Sequence, residues 1–358
     1  MKKKMILQRL WYLFCCFALV HVGLANAYSN ETVRKNYKIG IAPSHVTTSP
    51  NSLLNNTSQW ALVSKQIDFY KYYGVQFTGL SQFTSIDPKM LVAFAKKETI
   101  SLGCEFGDFH LSQNMTERVV QSAFKQLDPV FQNGGTVDSL HLDGPIRRML
   151  KGVQNHPHAL SLGEISSLLV SFWKKIKLRY PNIEIGLVTN LPNWDYTQKL
   201  HGWNGHYTDR SGVTYLQALQ EVHAALLEAG EKMDFVEIDC PFNYYREVRT
   251  RKGDSEVNNA VKLSHIENWC QKNGINFHLV VNAEPRKFGA QGFHDLTCEY
   301  VQRLHDDKIF PHAFIIQSWY KEPSSHLPES KKYTFMNTAR DAIFLLDELY
   351  PRISKAVK

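Results

Sequence analysis

The sequence predicts a single (β/α)₈ barrel, and three observations predict it. The chain has 358 residues, of which 43% are hydrophobic and 21% charged, enough apolar mass for one large core. Eight short apolar or β-branched runs alternate with longer segments of helical spacing. The chain has no GxGxxG motif after the first run and no P-loop, so nothing favours the main alternative, an open doubly wound sheet. Strand-then-helix order repeated eight times favours a closed parallel barrel.

The eight runs are the predicted strands: Lys38–Ala42, Val75–Leu80, Ile100–Glu105, Ser139–Asp143, Ile183–Thr189, Phe235–Asp239, Phe277–Asn282 and Ala313–Ser318. Between the first two, a helix over Leu53–Tyr73 is predicted, because apolar residues recur at helical spacing from Trp60 to Tyr70 and Gly74 supplies a C-cap. The other predicted helices are Lys89–Glu98, Thr116–Phe131, Gly163–Tyr180, Gly212–Glu228, Ala260–Asn273, Gly292–His305 and Thr338–Leu349.

The first 27 residues have the pattern of a secretory signal peptide. Four basic residues precede an apolar run from Leu10 to Leu24, and Ala25-Asn26-Ala27 is a small-x-small cleavage site. We expect cleavage after Ala27, a secreted or periplasmic barrel over residues 28–358, and no stable membrane anchor; an uncleaved anchor is the alternative. Removal of the four basic residues lowers the formal net charge from +7 to +3. With no basic run interleaved with aromatics, this charge argues against nucleic-acid binding.

Four cysteines remain after this segment, at positions 104, 240, 270 and 298. Export permits disulfides, and Cys270 and Cys298 fall in consecutive predicted helices that could touch. Buried free thiols are the alternative, because a domain of this size needs no covalent cross-link.

Carboxylates follow several of the predicted strands, at the end of a barrel that carries the active site. Strand four ends in Asp143, strand six in Asp239, and Glu284 follows strand seven. Alternation places His141 and Asp143 inside the barrel, and likewise Glu237 and Asp239. A carboxylate inside a barrel must be paired, hydrogen-bonded or functional, because burying it alone costs too much free energy. We predict Asp143 and Glu284 as the leading catalytic pair, with Asp239 as the main rival; helix caps or salt-bridged supporting groups are the alternative for any one of them.

Aromatic and polar residues accompany these carboxylates at the strand ends. The aromatic ones would stack on sugar rings: Trp319, Trp194, Tyr244 and Tyr245. Trp203 is expected to pack in a loop or the core instead. The polar ones would hydrogen-bond or pair with a substrate: Asn190, Asn282, Glu105, Asp108 and Arg147. Two carboxylates flanking a cleft with aromatic faces are what glycoside hydrolysis requires.

The positions of Asp143, Glu284 and Trp319 resemble the layout of many (β/α)₈ glycoside hydrolases. The resemblance implies an acid/base after strand four, a nucleophile after strand seven and a Trp at the end of strand eight. It covers the architecture and these three positions. The chain departs from the pattern at strand four, where such enzymes usually have Asn-Glu and this chain has Asp143-Gly144. The chain is also similar to the α-galactosidase type of barrel, which would pair Asp143 with Asp239.

Basic residues follow three of the predicted strands and could bind a negatively charged substrate. The clusters are Arg147, Arg148 and Lys151; Arg246, Arg249, Arg251 and Lys252; and Arg286 and Lys287. Guanidinium groups bind carboxylates and sulfates well, so an anionic glycan is one hypothesis and a solvated basic rim is the other.

Two further classes of function remain open. A metal-dependent hydrolase or lyase would need converging His and carboxylate ligands; His141, His110 and His45 are candidates, but none forms a recognised motif. A barrel that binds glycan without turnover is the other. No motif indicates nicotinamide, flavin or pyridoxal phosphate, so no cofactor is predicted, and no G-x-S-x-G nucleophile motif occurs.

Overall fold

The computed structural model describes residues 37–44, 49–79, 84–109, 115–153, 158–194, 211–246, 248–249 and 257–350. All of them belong to one compact unit, residues 36–351. Eight parallel strands close into a barrel in chain order, with the last strand paired to the first. They are β1 (Lys38–Ala42), β2 (Phe69–Tyr73), β3 (Ser101–Phe106), β4 (Ser139–Asp143), β5 (Glu184–Asn190), β6 (Phe235–Asp239), β7 (Asn276–Val281) and β8 (Ala313–Gln317). The predicted (β/α)₈ barrel is therefore confirmed.

Helices follow every strand and cover the outside of the barrel. They are α1 (Pro50–Asn55), α2 (Ala61–Gln66), α3 (Pro88–Glu98), α4 (Met115–Gln132), α5 (Pro145–Met149), α6 (Leu162–Arg179), α7 (Tyr215–Glu228), α8 (Phe242–Tyr245), α9 (Asn259–Lys272), α10 (Gly289–Asp306) and α11 (Phe335–Leu349). Several start at capping side chains: Ser161 caps α6 and Thr214 caps α7, each in a reciprocal capping box. A two-stranded ribbon of residues 248–249 and 257–258 lies between α8 and α9.

One predicted strand and the helix before it are wrong. Strands β1, β4 and β6 have the predicted bounds, and β3, β5, β7 and β8 differ from prediction by one residue at one or both ends. The second strand, however, is Phe69–Tyr73 and not Val75–Leu80, and the predicted helix Leu53–Tyr73 is broken into α1, a 3₁₀ turn and α2. Seven of the eight strands were thus placed within one residue, and β2 was not.

Pairing with neighbouring strands explains why β2 lies where it does. The side chain of Asp68 accepts a hydrogen bond from the Ile39 N–H, and the Asp68 N–H donates to the Ile39 carbonyl, which ends the helical run. The sequence of β2, FYKYY, alternates between the two faces of the sheet. Phe69 and Tyr73 lie in the cluster inside the barrel, and Tyr70 lies in the outer core. The aromatic residues of this segment also match helical spacing, but pairing with β1 and β3 makes residues 69–73 a strand.

The same side chain-to-backbone hydrogen bond occurs four times at the amino end of the barrel. The residue just before each even-numbered strand accepts a backbone N–H from the preceding odd-numbered strand. The pairs are Asp68 with Ile39 (2.8 Å), Asp138 with Leu102 (2.9 Å), Asp234 with Ile185 (2.9 Å) and His312 with Phe277 (3.2 Å). These side chains satisfy strand N–H groups at the end where the sheet begins.

Two phenylalanines fill the lower interior. A Cβ on Gly40 would lie 2.2 Å from the Phe69 ring, and a Cβ on Gly186 would lie 2.2 Å from the Phe235 ring. Each glycine thus lets a ring lie flat against the backbone of the adjacent strand. The Phe235 ring also stacks on His278, with centroids 4.5 Å apart. This aromatic layer fills the barrel interior below the carboxyl ends of the strands.

Other sequence predictions have mixed outcomes. The four cysteines of the described part are free thiols, so the Cys270–Cys298 disulfide is not formed. Among the described helices, none has the length and apolarity that a membrane crossing requires. Several predicted features lie outside the described residues: the signal segment 1–27, His45, His110, Trp203, Arg251 and Lys252. For these, the predictions stay predictions.

Candidate active site

Asp239 is the last residue of β6, at the carboxyl end of the barrel. The Asn190 side-chain amide at the end of β5 donates to Oδ2 over 2.8 Å, and that of Asn282, just after β7, donates to Oδ1 over 3.2 Å. Burial, with a smaller contribution from the charge of Asp143, raises the pKa of Asp239 to about 6, although the two amides favour the charged form. A carboxyl group in this state can give and take a proton near neutral pH.

Asp143 ends β4 and is the carboxylate of an ion pair. Arg148 on α5 binds its Oδ2 and also donates to the Gly107 carbonyl. A Cβ on Gly107 would lie 2.7 Å from the Arg148 guanidinium, so this glycine makes the close approach feasible. The side chain of Asp143 remains 24% exposed, whereas Asp239 is only 7% exposed. The two neighbouring carboxylates thus occupy different environments, one paired and open, the other buried.

Glu105 on β3 is a third carboxylate in the same region. Its Oε2 lies 2.7 Å from the Lys71 ammonium and accepts a 3.3 Å hydrogen bond from the Gln317 amide. Burial raises the pKa of Glu105 to about 7 against the opposing charge of Lys71, and the charges of Asp143 and Glu237 add to the rise. Predicted only as a substrate-binding residue, Glu105 is linked electrostatically to both Asp143 and the buried network below.

A buried ionic network lies beneath these carboxylates. Lys71 Nζ binds Glu237 Oε1 over 2.6 Å, and Glu237 Oε2 lies 2.5 Å from His141 Nδ1. Burial disfavours the charge on Glu237, but Lys71 and His141 outweigh it and hold the pKa of Glu237 well below its usual range. Burial lowers the pKa of His141, so a neutral imidazole donates Nδ1–H to Glu237 and accepts at Nε2 from the Ser139 hydroxyl over 2.8 Å. Parity had predicted His141 and Glu237 inside the barrel, and both are there.

Lys71 is the residue of this site that sequence reasoning missed. It was assigned to a helix, because the second strand was placed after it. The alternation of Phe69, Lys71 and Tyr73 with Tyr70 and Tyr72 was the signal that could have found it. A Lys on the inner face of a strand must find carboxylate partners, and this one binds two.

One group in the described part of the chain could hold a metal ion. Potential ligand atoms of His141, Glu237 and His278 lie within 4.8 Å of one another, and all three residues are buried. Both oxygens of Glu237 are already engaged, one by Lys71 and the other by His141. Because the Lys71 ammonium already supplies the positive charge, the arrangement fits a lysine-compensated network better than a metal centre.

Three other predicted residues also lie near the carboxyl ends of the strands. Trp319, two residues past β8, is partly exposed and meets Tyr73 edge-on with ring centroids 5.3 Å apart. Glu284 is half-buried, and its backbone N–H donates to the Asn243 side chain over 2.7 Å. Tyr244 on α8 is only 6% exposed. Trp319 is thus the predicted stacking residue that keeps an accessible face at the mouth.

Two predicted stacking residues are wrong, because both belong to the core. Trp194 is fully buried against Tyr215, and its indole N–H donates to the Thr189 hydroxyl over 2.8 Å. Tyr245 is buried against Tyr300, and its hydroxyl donates to Asp307 over 2.8 Å. Their nitrogen and oxygen atoms are satisfied within the helix layer, so neither ring offers a face to a substrate.

The polar residues predicted after strands three and four have internal partners or are buried. Asp108 accepts a hydrogen bond from Ser122 on α4. Arg147 is 9% exposed, and Arg148 is committed to Asp143. In the second basic cluster, Arg246 is exposed and lies 4.0 Å from Glu299. The structure therefore gives no rim of free guanidinium groups among the side chains that it describes.

A separate cleft of about 670 Å³ lies away from this site. It is lined by the end of α4, the end of α6 and the loops that lead into β4 and β5, so it belongs to the amino end of the barrel. Its charged groups pair with each other: Arg179 binds Asp128 over 2.7 Å and the Tyr180 hydroxyl donates to the same carboxylate. The converging carboxylates therefore lie outside this cleft, at the carboxyl end of the barrel.

No family model and no curated protein matches this sequence. Solved structures do resemble the fold. A family 39 glycoside hydrolase from the gut symbiont Bacteroides cellulosilyticus WH2 is 9% identical with a TM-score of 0.52, over 89% of this chain and 65% of that one. An L-ribulose 3-epimerase is 14% identical over 88% and 94% of the chains, with a TM-score of 0.49, and a psychrophilic family 10 endo-β-1,4-xylanase is 9% identical over 85% and 96%, with a TM-score of 0.48. At 9% identity, the likeness to the family 39 glycoside hydrolase shows the fold alone, a (β/α)₈ barrel.

Proposed function

We propose that the protein is a glycoside hydrolase-like enzyme that uses Asp239 and Asp143 as its carboxylate pair. The observation that carries the proposal is a buried carboxylate, Asp239, held by two amides near a second, ion-paired and more exposed carboxylate, Asp143. Burial also raises the pKa of Asp239 to about 6. Pairs of acids in contrasting environments are what hydrolysis of a glycosidic bond requires. Glu284, after β7, is the rival to Asp143, as the resemblance to the larger group of barrel hydrolases implies.

In this mechanism Asp239 gives its proton to the glycosidic oxygen as the bond from that oxygen to the anomeric carbon breaks. Asp143 then either attacks the anomeric carbon or removes a proton from the water that does so. Arg148 holds Asp143 in place, and Asn190 and Asn282 hold Asp239. Trp319 offers a stacking face for a sugar ring.

We also propose export, on the basis of the signal-like segment 1–27. Within the carboxylate cluster the structure offers little support for an anionic glycan, because the Arg148 guanidinium is already paired with Asp143. Any anionic group would have to bind at the rim, outside the carboxylate cluster.

The test is hydrolysis of a broad glycan panel by the mature protein and by Asp143→Asn, Asp239→Asn and Glu284→Gln variants. Loss of about 10²–10⁴-fold in kcat is expected for Asp239→Asn and for one of the other two, with circular dichroism unchanged. Glu117→Gln, an exposed carboxylate of α4 paired with Lys175, is the matched control and should keep full activity. Absence of activity on every glycan, or activity that survives all three changes, would overturn the proposal.

A chelator arm separates the metal-dependent alternative, for which His141, Glu237 and His278 are the candidate ligands within the described residues. Activity lost on chelation and restored by Zn²⁺ would support that alternative. Activity indifferent to chelation is expected for the carboxylate mechanism.

A further inference from the structure

Phe288 has the most exposed aromatic ring in the described part of the chain. The residue is 62% exposed, and among the other described aromatic residues only Phe344, at 45%, is also exposed. An aromatic ring stabilises a fold by removing its apolar surface from water, and most of the surface of Phe288 remains in water. The ring is therefore available for a contact outside the fold.

The turn that carries Phe288 fixes where the side chain starts. Arg286–Phe288 form a 3₁₀ turn, in which the Phe288 N–H donates to the Pro285 carbonyl over 3.1 Å. A Cβ on Gly292, in the first turn of α10, would lie 2.6 Å from Phe288 Cβ and 2.8 Å from that carbonyl oxygen, so the absence of a side chain at this position allows the close packing. Gly289, the next residue after the turn, has a φ of 55° and a ψ of −142°, which side chains other than glycine rarely adopt. Two glycines thus hold the base of Phe288 against α10 while its ring stays in solvent.

Phe288 and Trp319 lie in neighbouring loops at the carboxyl end of the barrel. Strands β7 and β8 are adjacent, with Val281 paired to Ile316, and the two residues follow these strands in turn. Trp319 packs against the cluster inside the barrel, whereas Phe288 packs against α10 in the helix layer. One aromatic ring therefore lies towards the barrel axis and the other towards the rim.

The surroundings of Phe288 suit a sugar ring. The C–H groups on the face of a pyranose stack on the negative face of an aromatic ring. The exposed ammonium of Lys287 lies 5.2 Å from the centroid of the Phe288 ring, and it supplies hydrogen-bond donors for hydroxyl groups beside that face. An aromatic face with an adjacent donor matches both the apolar face and the polar edge of a sugar.

We propose, on the basis of the function proposed above, that Phe288 is the stacking residue of a second, outer sugar-binding position. One ring of the glycan stacks on Trp319 and a ring further along the chain stacks on Phe288. The substrate is therefore an oligosaccharide or polysaccharide, and a monosaccharide glycoside fills only part of the site.

Binding of oligosaccharides of graded length tests this proposal without requiring turnover. Cello-, xylo- and malto-oligosaccharides of one to five rings are titrated calorimetrically into the wild-type protein, and into Asp239→Asn to suppress any hydrolysis. We expect the affinity in at least one series to rise about tenfold or more between one ring and the longest member.

Substitutions of Phe288 identify the ring that provides this gain. Phe288→Ala should weaken binding of the longest oligosaccharide about 5- to 30-fold and change that of a monosaccharide less than about twofold. Phe288→Trp, which keeps an aromatic face, should retain the gain, whereas Phe288→Leu, which keeps only apolar bulk, should lose it. Phe344→Ala, at the other exposed phenylalanine, is the matched control and should leave every affinity unchanged. Because both positions are exposed, the unfolding temperature of each variant should match that of the wild type.

The results separate this proposal from the proposed function. Length-dependent binding that requires an aromatic residue at position 288 supports the outer position, even if no glycan is hydrolysed. Hydrolysis of glycans with the same KM in wild type and Phe288→Ala, whatever their length, overturns it while the proposed function stands. Absence of binding in all three series also overturns it, as does loss of a dimer in Phe288→Ala on size-exclusion chromatography with unchanged sugar affinity.

Discussion

The two ends of the barrel use polar side chains in opposite ways. At the amino end, Asp68, Asp138, Asp234 and His312 each accept a strand N–H, so their polar atoms serve the sheet itself. At the carboxyl end, the amide nitrogens serve the carboxylates, and the amide oxygens are left over. The difference separates two uses of polar side chains: at one end they accept hydrogen bonds from the strand backbone, and at the other they hold carboxylates, as an active site requires.

Disruption of the buried ionic network of Lys71, Glu237 and His141 should give the largest loss in the free energy of unfolding. Lys71→Met leaves Glu105 and Glu237 without their cation, so we expect a loss of about 3–5 kcal/mol in the free energy of unfolding. Urea denaturation at pH 7 measures it.

An exposed pair provides the control for that prediction. Lys175 binds Glu117 over 2.7 Å, the same distance as Lys71 to Glu105, but both side chains are well exposed. Lys175→Met should cost less than about 1 kcal/mol. Equal losses in the two variants would contradict the view that burial gives the Lys71 network its importance.

The carboxyl end should also carry a distinctive pH dependence. Burial raises the pKa of Asp239 from 3.8 to about 6, so the folded state holds this proton more tightly than the unfolded state. The resulting stability is fully present below about pH 3.8 and is lost as the pH rises through about 6. Relative to Asp239→Asn, the wild-type protein should therefore lose up to about 3 kcal/mol between pH 4 and pH 7.

Denaturant unfolding of both proteins at several pH values in that window measures the difference. Subtraction removes contributions common to both, such as that of Glu237, whose pKa is lowered and which acts in the opposite direction. A difference that does not vary with pH would contradict the assignment of Asp239 as a buried acid.

At the amino end, the expected effect is on stability alone. Asp234→Ala removes the acceptor of the Ile185 N–H and the partner of Lys177, so we expect a loss of about 2 kcal/mol. Asp234→Asn keeps an acceptor oxygen and should lose less than half as much. Sugar binding and the pH profile should match the wild type in both, and altered binding would contradict the division between the two ends.

The outward faces of the strands were the easiest part to predict. Leu140, Leu142, Val236 and Ile238 are fully buried under the helices, as alternation indicated, and β4 and β6 have the predicted bounds. Strand β2 failed because its aromatic residues also satisfied helical spacing, and only pairing with β1 and β3 distinguishes the two. That error concealed Lys71.

The sequence predicts which residue types lie at the strand ends, but not which of these side chains contact one another. Asp143, Asp239, Asn190 and Asn282 follow from their places at strand ends. The bond between Lys71 and Glu237 joins residues 166 positions apart, and no local pattern specifies it. Trp194 and Tyr245 were misjudged for a related reason: a position just after a strand does not say whether a side chain turns to the mouth or to the helix layer.

The smallest effect concerns an unpartnered acceptor of the carboxyl end. Gln317→Met removes a buried oxygen that has no partner within the described residues, and it also gives up the amide's hydrogen bonds to Glu105, over 3.3 Å, and to Tyr73. Because deletion of the unpartnered oxygen offsets part of the cost of these lost bonds, we expect the ligand-free variant to lose less than about 1 kcal/mol of stability. The comparison with Asp234→Ala is direct: both changes delete polar groups inside or beside the barrel, but one deletes a used acceptor and the other an unused one. Thermal unfolding of both ligand-free variants in one buffer measures the contrast. A loss of about 2 kcal/mol for Gln317→Met would mean that this oxygen already has a partner in the free protein, and that the carboxyl end is as fully satisfied as the amino end.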